Sequence, residues 1–465
     1  MRQRTLIYAL AVIALTISAQ AHPPVDSPIP TDSDIRAILV DRIDNRHQGV
    51  GIVVGVIEPS GRRFVAYGRM AKDDKRGVGA NTVFEIGSAT KVFTSLLLAD
   101  MAQRGELALA DPAGRYLPAG VKLPERGGRQ IALVDLATHT SGLPRLPENL
   151  KAKDPANPYA DYSVDQLYQF LSTYQLKRDI GSKYEYSNLG TGLLGHVLAR
   201  RMGMDYEVLL RSRVLEPLGM ASTRITLSPE MKSRLAPGHN AALEPVANWD
   251  IPTLAGAGAL RSTAEDMLTF LAANLGHEKS PLASAMASML SVRRATGVPT
   301  LEIALGWHIF SRNGHEIVWH NGGTGGYRSF LGYDPVRHIG VVVLSNTETT
   351  LGVDDIGQHL LDTNIPLSKA PRVHKEVAVD PKLFDSYVGR YELAPNFVLT
   401  ITRDGRRLFV QATSQPKVEL FPESTRDFFL KVVDAQITFA TDAQGRATSL
   451  TLHQNGIDQQ SKRIE

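Results

Sequence analysis

Strand-like segments lie on both sides of a long, mainly helical stretch, and this order limits the folds open to the chain. Alternating or continuous apolar segments occur as GVGIVVGVI and RRFVAYG before residue 70, and again between residues 301 and 346. From Thr90 to about Ala287 the pattern is mostly helical, with loops rich in proline and glycine. The spacing of apolar residues distinguishes strand segments from helical segments. We predict an α/β fold in which the terminal strands pair in one antiparallel sheet, flanked by helices and a mainly helical lobe, with an active site between the lobes.

The end of the chain has a different pattern. FVLTITRDGRRLFVQAT has alternating apolar positions around Asp404-Gly405, which is a strong hairpin signal. We predict a small all-β barrel or sandwich over residues 381–465, joined to the principal domain (34–365) by a linker at 366–380. We interpret this β domain as a structural cap or support, with an independent ligand site as the alternative.

The beginning of the chain has the order of a secretory signal peptide. MRQR is followed by LIYALAVIALTI and then by SAQA. The apolar part is too short to span a bilayer. We predict a signal peptide at 1–21, cleavage before His22, a leader at 22–33, and a periplasmic or secreted mature protein without a membrane span.

Composition excludes several kinds of site. The sequence contains no cysteine, so disulfides, thiolate metal sites and a cysteine nucleophile are excluded. A net charge of +3 gives no reason to expect nucleic acid or an acidic membrane as a partner. The 13 histidines lack ligand spacing and no HExxH occurs. We therefore expect no metal and no cofactor, and the sequence leaves the oligomeric state open.

The first candidate for chemistry is Ser88-x-x-Lys91, in FEIGSATKVFTSLLLADM. Helical spacing of apolar residues continues after Lys91, which places both side chains on one face of a buried helix, with Ser88 in its first turn. A desolvated lysine can lose its charge and accept the serine proton. The alternative is a helix-capping serine and a lysine paired with solvent or Glu85. A second match, Ser414/Lys417, contains a proline and lies in the β-rich end of the chain.

The second candidate is Tyr186-x-Asn188, which precedes an apolar helix in GSKYEYSNLGTGLLGHVLA. A tyrosine near a lysine ammonium can have a lowered pKa and transfer protons. The alternative is a packed loop tyrosine followed by an asparagine cap. Another constellation, in DLATHTSGLP, crowds its Asp, His and Ser within seven residues and lacks a nucleophile elbow, so we interpret it as a structural loop.

The third candidate is His320-x-Gly322, the best placed of three His-x-Gly matches. His320 ends the predicted strand HEIVWH, and the glycines that follow allow a close approach to the strand edge. The alternative is a strand-end histidine and an ordinary glycine loop.

In this order, the three motifs resemble those of the penicillin-recognising serine hydrolases. The likeness is greatest to class C β-lactamases and their relatives: D-alanyl-D-alanine carboxypeptidases, D-aminopeptidases and β-lactamase-like esterases. FEIGSATK, DLATHTSGLP, YEYSNLGTGLLG, EPLGM, ALRSTAEDM and GYDPVRHIGVVVLSN carry it, from about Asp34 to Asp362. The final β domain is similar to the lipocalin-like module of some members. The resemblance implies a β-lactamase/DD-peptidase-like fold.

The resemblance also implies roles. Ser88 would form an acyl-enzyme, Lys91 would accept its proton, and Tyr186 would act as general acid or base at the leaving nitrogen. Asn188 would bind the amide side chain of the substrate. The oxyanion hole would be formed by the backbone N–H groups of Ser88 and Gly323.

One departure concerns the substrate. His320 and Gly322 would line the substrate-binding strand, but class C β-lactamases have lysine where this chain has His320. The expected substrates are small molecules or peptides: β-lactams first, then D-alanyl peptides, then esters. A non-catalytic protein that binds cell-wall fragments is the alternative from another class.

Overall fold

The computed structural model describes residues 29–312, 314–369, 374–394, 397–413, 415, 417–431, 435–454 and 457–465. The predicted signal peptide and residues 22–28 of the predicted leader lie outside this range. Over the ranges just given, every helix is too short or too polar to cross a bilayer.

One eight-stranded antiparallel sheet forms the centre of the principal domain, in the order β2-β1-β8-β7-β6-β5-β4-β3. Its strands are β1 Gly51–Glu58, β2 Gly61–Gly68, β3 Arg294–Ala295, β4 Leu301–Ile303, β5 His308–Arg312, β6 His315–Gly323, β7 Arg328–Asp334 and β8 Ile339–Ser345. β1 pairs with β8 through Ile52↔Ser345 to Ile57↔Gly340. The prediction that the first and last strands of this domain pair in one sheet is therefore confirmed.

Most of the helices lie between β2 and β3, as predicted, while α1 precedes β1 and α10 follows β8. The α-helices are α1 Asp32–Val40, α2 Thr90–Gln103, α3 Leu133–Ala137, α4 Val164–Thr173, α5 Asn188–Met202, α6 Tyr206–Leu210, α7 Pro229–Arg234, α8 Ala264–Leu275, α9 Ala283–Met289 and α10 Asp354–Leu361. Short 3₁₀ turns lie at Gly87–Ala89, Ala113–Tyr116, Ala255–Ala257 and Pro381–Ser386, and π turns at Asp41–Asn45 and Arg211–Leu215. Two-residue strands pair as Phe84–Glu85 with Arg261–Ser262, Glu125–Arg126 with Arg129–Gln130, and Gly238–His239 with Pro245–Val246.

The sheet is covered on both faces, which explains why all of β1 is buried. Ile52, Val54 and Val56 belong to a core cluster that includes α1 and α10. Val53 and Ile57 point to the opposite face and join the large core cluster of the helical lobe. Because successive strand residues face opposite sides, a strand buried on both faces appears as an unbroken apolar segment.

A buried ion pair joins the two ends of the principal domain. Arg42, in the π turn after α1, contacts Asp355 of α10 at 2.5 Å and donates to the carbonyl oxygen of Gly352 at 3.1 Å. Both charged side chains are almost fully buried. Removing one partner of such a pair leaves an uncompensated charge, at a cost of about 3–5 kcal/mol.

The final part of the chain forms a closed antiparallel barrel. Its strands are β9 Gly389–Ala394, β10 Phe397–Asp404, β11 Arg407–Ala412, β12 Val418–Pro422, β13 Asp427–Phe429, β14 Ala435–Thr441, β15 Ala447–Gln454 and β16 Ile457–Arg463. The predicted Asp404-Gly405 hairpin connects β10 and β11. Buried aromatic rings pack within the barrel, and Tyr387 stacks on Phe439 with ring centroids 4.2 Å apart. The small all-β fold is confirmed, whereas the exact domain boundaries stay a prediction.

Candidate active site

Ser88 lies in the 3₁₀ turn Gly87–Ala89, directly before α2 rather than inside its first turn. Residues Thr90 to Met101 of α2 are all buried, so the helix passes through the core of the helical lobe. Ser88 itself is only half-buried. The turn therefore presents its hydroxyl at the surface of a pocket while the helix holds Lys91 beneath it.

The side chain of Lys91 is fully buried, and its Nζ lies 3.0 Å from the Oγ of Ser88. The same Nζ donates to the carbonyl oxygen of Ala257 at 2.6 Å. Burial, and secondarily the positive charge of Arg145, holds the pKa of Lys91 well below its usual range. Glu85, the alternative partner considered for this lysine, instead pairs with Arg261 at 3.1 Å. Burial therefore favours the neutral form of Lys91, in which a lone pair is available to the serine hydroxyl.

Tyr186 joins this pair from the loop before α5. Its ring centroid lies 4.9 Å from the Nζ of Lys91. Burial raises the pKa of Tyr186, while a hydrogen bond with Ser88 and the charge of Arg145 oppose that rise. This direction is opposite to the lowered pKa expected beside a lysine ammonium, because burial is the largest influence on the phenol. The phenol is thus protonated in the resting site and is a proton donor.

Asn188 is the first residue of α5 and lines the pocket. Its Nδ2 donates to the hydroxyl of Tyr159 at 3.3 Å. Ser187 caps α5 by accepting from the N–H of Gly190 at 2.8 Å. The cap fixes the start of the helix, and with it the position of Asn188 beside Ser88.

His320 and Gly322 are buried and are not among the residues that line the pocket, whereas Gly323 lies at its wall. His320 is fully buried, and its Nδ1 lies 2.5 Å from the carbonyl oxygen of Asn321. Burial, followed by His308 and Lys91, holds the pKa of His320 well below its usual range. His320 is therefore neutral and does not replace the permanent charge that a lysine would bring.

Close backbone contact brings β6 against the serine turn. Gly87 has φ +50°, and a methyl group there would lie 2.7 Å from the backbone nitrogen of Gly323. A methyl group at Gly322 would overlap the carbonyl oxygen of Ile86. Only glycine allows both the left-handed turn and this approach. The backbone nitrogen of Gly323 thereby lies next to the turn that carries Ser88.

Other parts of the site are not indicated by the three motifs. The pocket is lined by Gly87, Ser88, Tyr159, Asn188, Trp249, Ile251, Ala257, Gly258, Gly323 and Thr324. Trp249 is held by Glu85, which accepts from the Trp249 N–H at 3.1 Å and also binds Arg261. Tyr159 and Trp249 come from separate loops, and their rings pack 5.5 Å apart. No spacing rule links these loops, so the sequence offered no signal for them.

Two further histidines surround the catalytic candidates. His139 comes from the loop that we interpreted as structural, and its ring lies 4.6 Å from that of Tyr186. His308 lies 5.2 Å from His320, and its Nε2 is 3.0 Å from the hydroxyl of Tyr184. Burial lowers the pKa of His139, and that of His308 to about 4. Both imidazoles are neutral and keep the surroundings of Lys91 free of additional positive charge.

Across the part of the chain that the structure describes, no group of three or more acidic or histidine side chains could hold a metal ion. The arrangement around Ser88 brings together a hydroxyl, a buried amine and a phenol. These groups can transfer an acyl group by proton transfer and electrostatic stabilisation.

Comparisons with known proteins give the family. The family model described as Beta-lactamase matches residues 36–362, and the model described as Domain of unknown function (DUF3471) matches residues 373–464. The chain is 31% identical over 358 residues to the D-alanyl-D-alanine-carboxypeptidase/endopeptidase AmpH of Escherichia coli (strain K12), covering 74% of this chain and 91% of that protein. It is 27% identical over 457 residues to penicillin-binding protein 4* of Bacillus subtilis (strain 168), covering 92% and 98% of the two chains.

A solved structure agrees with these relatives. The class C β-lactamase from Rhodobacter sphaeroides superposes with a TM-score of 0.61 at 25% identity, covering 71% of this chain and 99% of that one. The match to Beta-lactamase covers most of the chain, including all three motifs. This chain is therefore a serine hydrolase and belongs to the β-lactamase family.

Proposed function

We propose that this chain hydrolyses β-lactam amide bonds through an acyl-enzyme formed on Ser88. The observation that carries the proposal is the 3.0 Å separation between the Oγ of Ser88 and the Nζ of a buried Lys91 whose pKa is lowered by desolvation. A neutral amine at hydrogen-bond distance is the base that a serine hydroxyl needs to become a nucleophile.

Acylation of Ser88 involves three proton transfers, which return Lys91 and Tyr186 to their starting states. The Nζ of Lys91 takes the proton of Ser88 as its oxygen bonds to the carbonyl carbon. The backbone N–H groups of Ser88 and Gly323 donate to the oxyanion, and one such donor lowers the barrier by about 3–4 kcal/mol. As the carbon–nitrogen bond breaks, the Tyr186 hydroxyl gives its proton to the leaving nitrogen. The lysine ammonium then returns a proton to the phenolate.

Deacylation uses the same groups in the opposite sense. A water molecule loses its proton to the Tyr186–Lys91 pair as its oxygen attacks the ester carbonyl. The serine oxygen leaves and regains a proton from that pair. Tyr186 is suited to both half-reactions because it contacts Ser88 directly and lies beside Lys91.

A second candidate is hydrolysis of D-alanyl-D-alanine peptides. It is favoured by the AmpH relative, which is 31% identical to this chain and is a D-alanyl-D-alanine-carboxypeptidase/endopeptidase. Proteins called β-lactamase are also relatives, such as that of Pseudomonas fluorescens at 28% identity over 360 residues. Both substrates present an amide carbonyl to the same serine, so acylation chemistry alone does not separate them.

The proposal includes the cellular location of the protein and the residue ranges of its domains. The residues at 1–21 direct export, so the hydrolase (34–365) and the β domain (381–465) act in the periplasm or outside the cell. N-terminal sequencing of the exported protein tests this point, with His22 expected as the first residue. A protein that retains Met1 after fractionation contradicts it.

The catalytic proposal is tested by comparing wild-type protein with Ser88→Ala on nitrocefin, benzylpenicillin and diacetyl-Lys-D-Ala-D-Ala. The wild type is expected to turn over at least one β-lactam, and Ser88→Ala to lose this activity. A higher kcat/KM for the peptide than for every β-lactam would favour the peptidase candidate. Full activity in folded Ser88→Ala would contradict both.

A further inference from the structure

Arg145 differs from the other basic groups of the site in its exposure. Lys91, His139, His308 and His320 are buried, and burial holds the pKa of each below its usual range. A guanidinium remains charged under these conditions. Arg145 is solvent-exposed and its guanidinium lies over the ring of Tyr186. The site therefore combines an uncharged interior with a permanent positive charge at its edge.

The position of Arg145 is fixed by its backbone and its ring contact. Its carbonyl oxygen accepts from the N–H of Leu189 in the first turn of α5, which ties it to Asn188 and Tyr186. Its guanidinium carbon lies 5.1 Å from the ring centroid of Tyr186. Burial raises the pKa of Tyr159, which lines the pocket, and the positive charge of Arg145 opposes that rise. Arg145 thus lies close to the groups that contact the substrate in the proposed reaction.

The Arg145 guanidinium is available for an anion. Among the residues that the structure describes, no carboxylate lies within ion-pair distance of it, and its side chain donates no hydrogen bond. The nearby Arg178 differs, because it is paired with Glu185. A guanidinium stacked on an aromatic ring keeps its N–H edge free for bidentate binding of a carboxylate.

Arg328 is the other arginine near the nucleophile, and its charge is already compensated. It packs against Gly323 on the face of β6 opposite to Ile86. Its guanidinium forms an ion pair with Glu348. Arg328 is therefore a matched control rather than a second candidate.

We infer that Arg145 binds a carboxylate of the substrate and so sets the preference of this enzyme for acidic substrates. The inference rests on the proposed function, since it assigns the recognition of substrate charge to the Ser88 site. In this assignment the positive charge that binds the substrate carboxylate lies beside Tyr186. The family resemblance would place that charge at the position of His320. Arg145 selects the substrate, whereas the acyl transfer itself belongs to Ser88, Lys91 and Tyr186.

The test uses pairs of substrates that differ by one carboxylate. Mono-p-nitrophenyl glutarate is compared with p-nitrophenyl butyrate, which puts the charge on the acyl side. Diacetyl-Lys-D-Ala-D-Ala is compared with its C-terminal amide, which puts it on the leaving side. For each pair, the ratio of kcat/KM for the acid to kcat/KM for the neutral partner is measured in wild type, Arg145→Gln, Arg145→Lys and Arg328→Gln.

In Arg145→Gln the acid-to-neutral ratio is expected to fall about 10- to 100-fold for one of the two pairs, mainly through KM. Arg145→Lys should recover part of the ratio, because it restores charge without the bidentate geometry. Arg328→Gln should keep the wild-type ratio. Unchanged ratios in Arg145→Gln for both pairs, or a selective loss in Arg328→Gln, would overturn the inference.

Failure of the proposed function has a separate signature. Ser88→Ala is expected to abolish hydrolysis of the neutral esters as well as the acids. If Ser88→Ala still hydrolysed p-nitrophenyl butyrate at the wild-type rate, the proposed nucleophile would be wrong whatever Arg145 does. If Ser88→Ala were inactive and Arg145→Gln kept its ratios, the nucleophile would stand and only the role of Arg145 would be rejected.

Discussion

The Nζ of Lys91 lies 3.0 Å from the Oγ of Ser88 while the lysine side chain is fully buried. A second hydrogen bond, donated to Ala257 at 2.6 Å, fixes the direction of the amine. Since burial lowers the pKa of Lys91, the amine lies beside the serine hydroxyl in a setting that favours its neutral form before any substrate is present. Several measurable consequences depend on this relationship.

Replacing Lys91 tests whether the amine is the base. Lys91→Met and Lys91→Arg should both slow acylation of Ser88 by about 10²- to 10⁴-fold, because arginine keeps a positive charge but cannot accept the proton. Stopped-flow measurement of the nitrocefin burst at neutral pH gives the rate. Lys232→Met, at an exposed position in α7, is the control and should react like the wild type. A wild-type burst in Lys91→Arg would rule out lysine as the base.

Tyr186→Phe removes the phenolic proton but keeps the ring that packs against His139. We expect turnover to fall by about 10²- to 10⁴-fold, since the leaving nitrogen loses its acid and water loses its base. Tyr184→Phe is the matched control, because that hydroxyl binds His308 rather than Ser88. It should lower stability by about 1 kcal/mol and preserve turnover. Comparable losses of kcat in the two variants would argue against a specific role for Tyr186.

Gly322→Ala probes the close approach of β6 to the serine turn. The added methyl group would overlap the Ile86 carbonyl, so the strand or the turn must move. We expect a loss of about 1–3 kcal/mol in stability and a large fall in kcat, because the oxyanion donors separate. Gly79→Ala has open space around it and is the control. Thermal unfolding and kcat are measured together, and wild-type values for both in Gly322→Ala would contradict this account of the strand.

The neutral state of His308 predicts a loss of stability in acid. Burial, and then the nearby Lys91, holds its pKa at about 4, below the ordinary value of 6.5. Between these values the unfolded chain binds more protons than the folded one, so stability falls as pH drops from 6.5 towards 4. The contribution of His308 to this loss is about 2 kcal/mol between pH 7 and pH 5.

Urea unfolding gives the free energy of unfolding at pH 7 and at pH 5, and the difference between the two values measures this effect. The cost of losing the Tyr184 hydrogen bond is present at both pH values and therefore cancels. His308→Asn should shrink the difference between the two pH values by about 2 kcal/mol. His47→Asn, at an exposed position with a φ of 53°, should leave it unchanged. Lys91, His320 and His139 act in the same direction, so part of the pH dependence should remain in His308→Asn. An equal pH dependence in both variants would mean that His308 is not held neutral.

The sequence predicts local features of this molecule better than its contacts across the chain. The spacing of Ser88 and Lys91 along one helix face indicates their proximity, and unbroken apolar segments predict β1 and β8. His139, Trp249 and Arg145 come from loops whose packing depends on distant segments, and periodicity carries no information about them. Protonation also depends on burial: the expected lowered pKa of Tyr186 is wrong because burial raises it.

Intact-protein mass spectrometry after brief exposure to benzylpenicillin, followed by peptide mapping, tests the central assignment most directly. We predict one acyl adduct per chain, on the peptide that contains Ser88, and none in folded Ser88→Ala. Its formation should become faster as pH rises through the pKa of Lys91, since the neutral amine is the reactive form. An adduct on a different residue, or one that forms equally in Ser88→Ala, would contradict the assignment of Ser88 as the nucleophile.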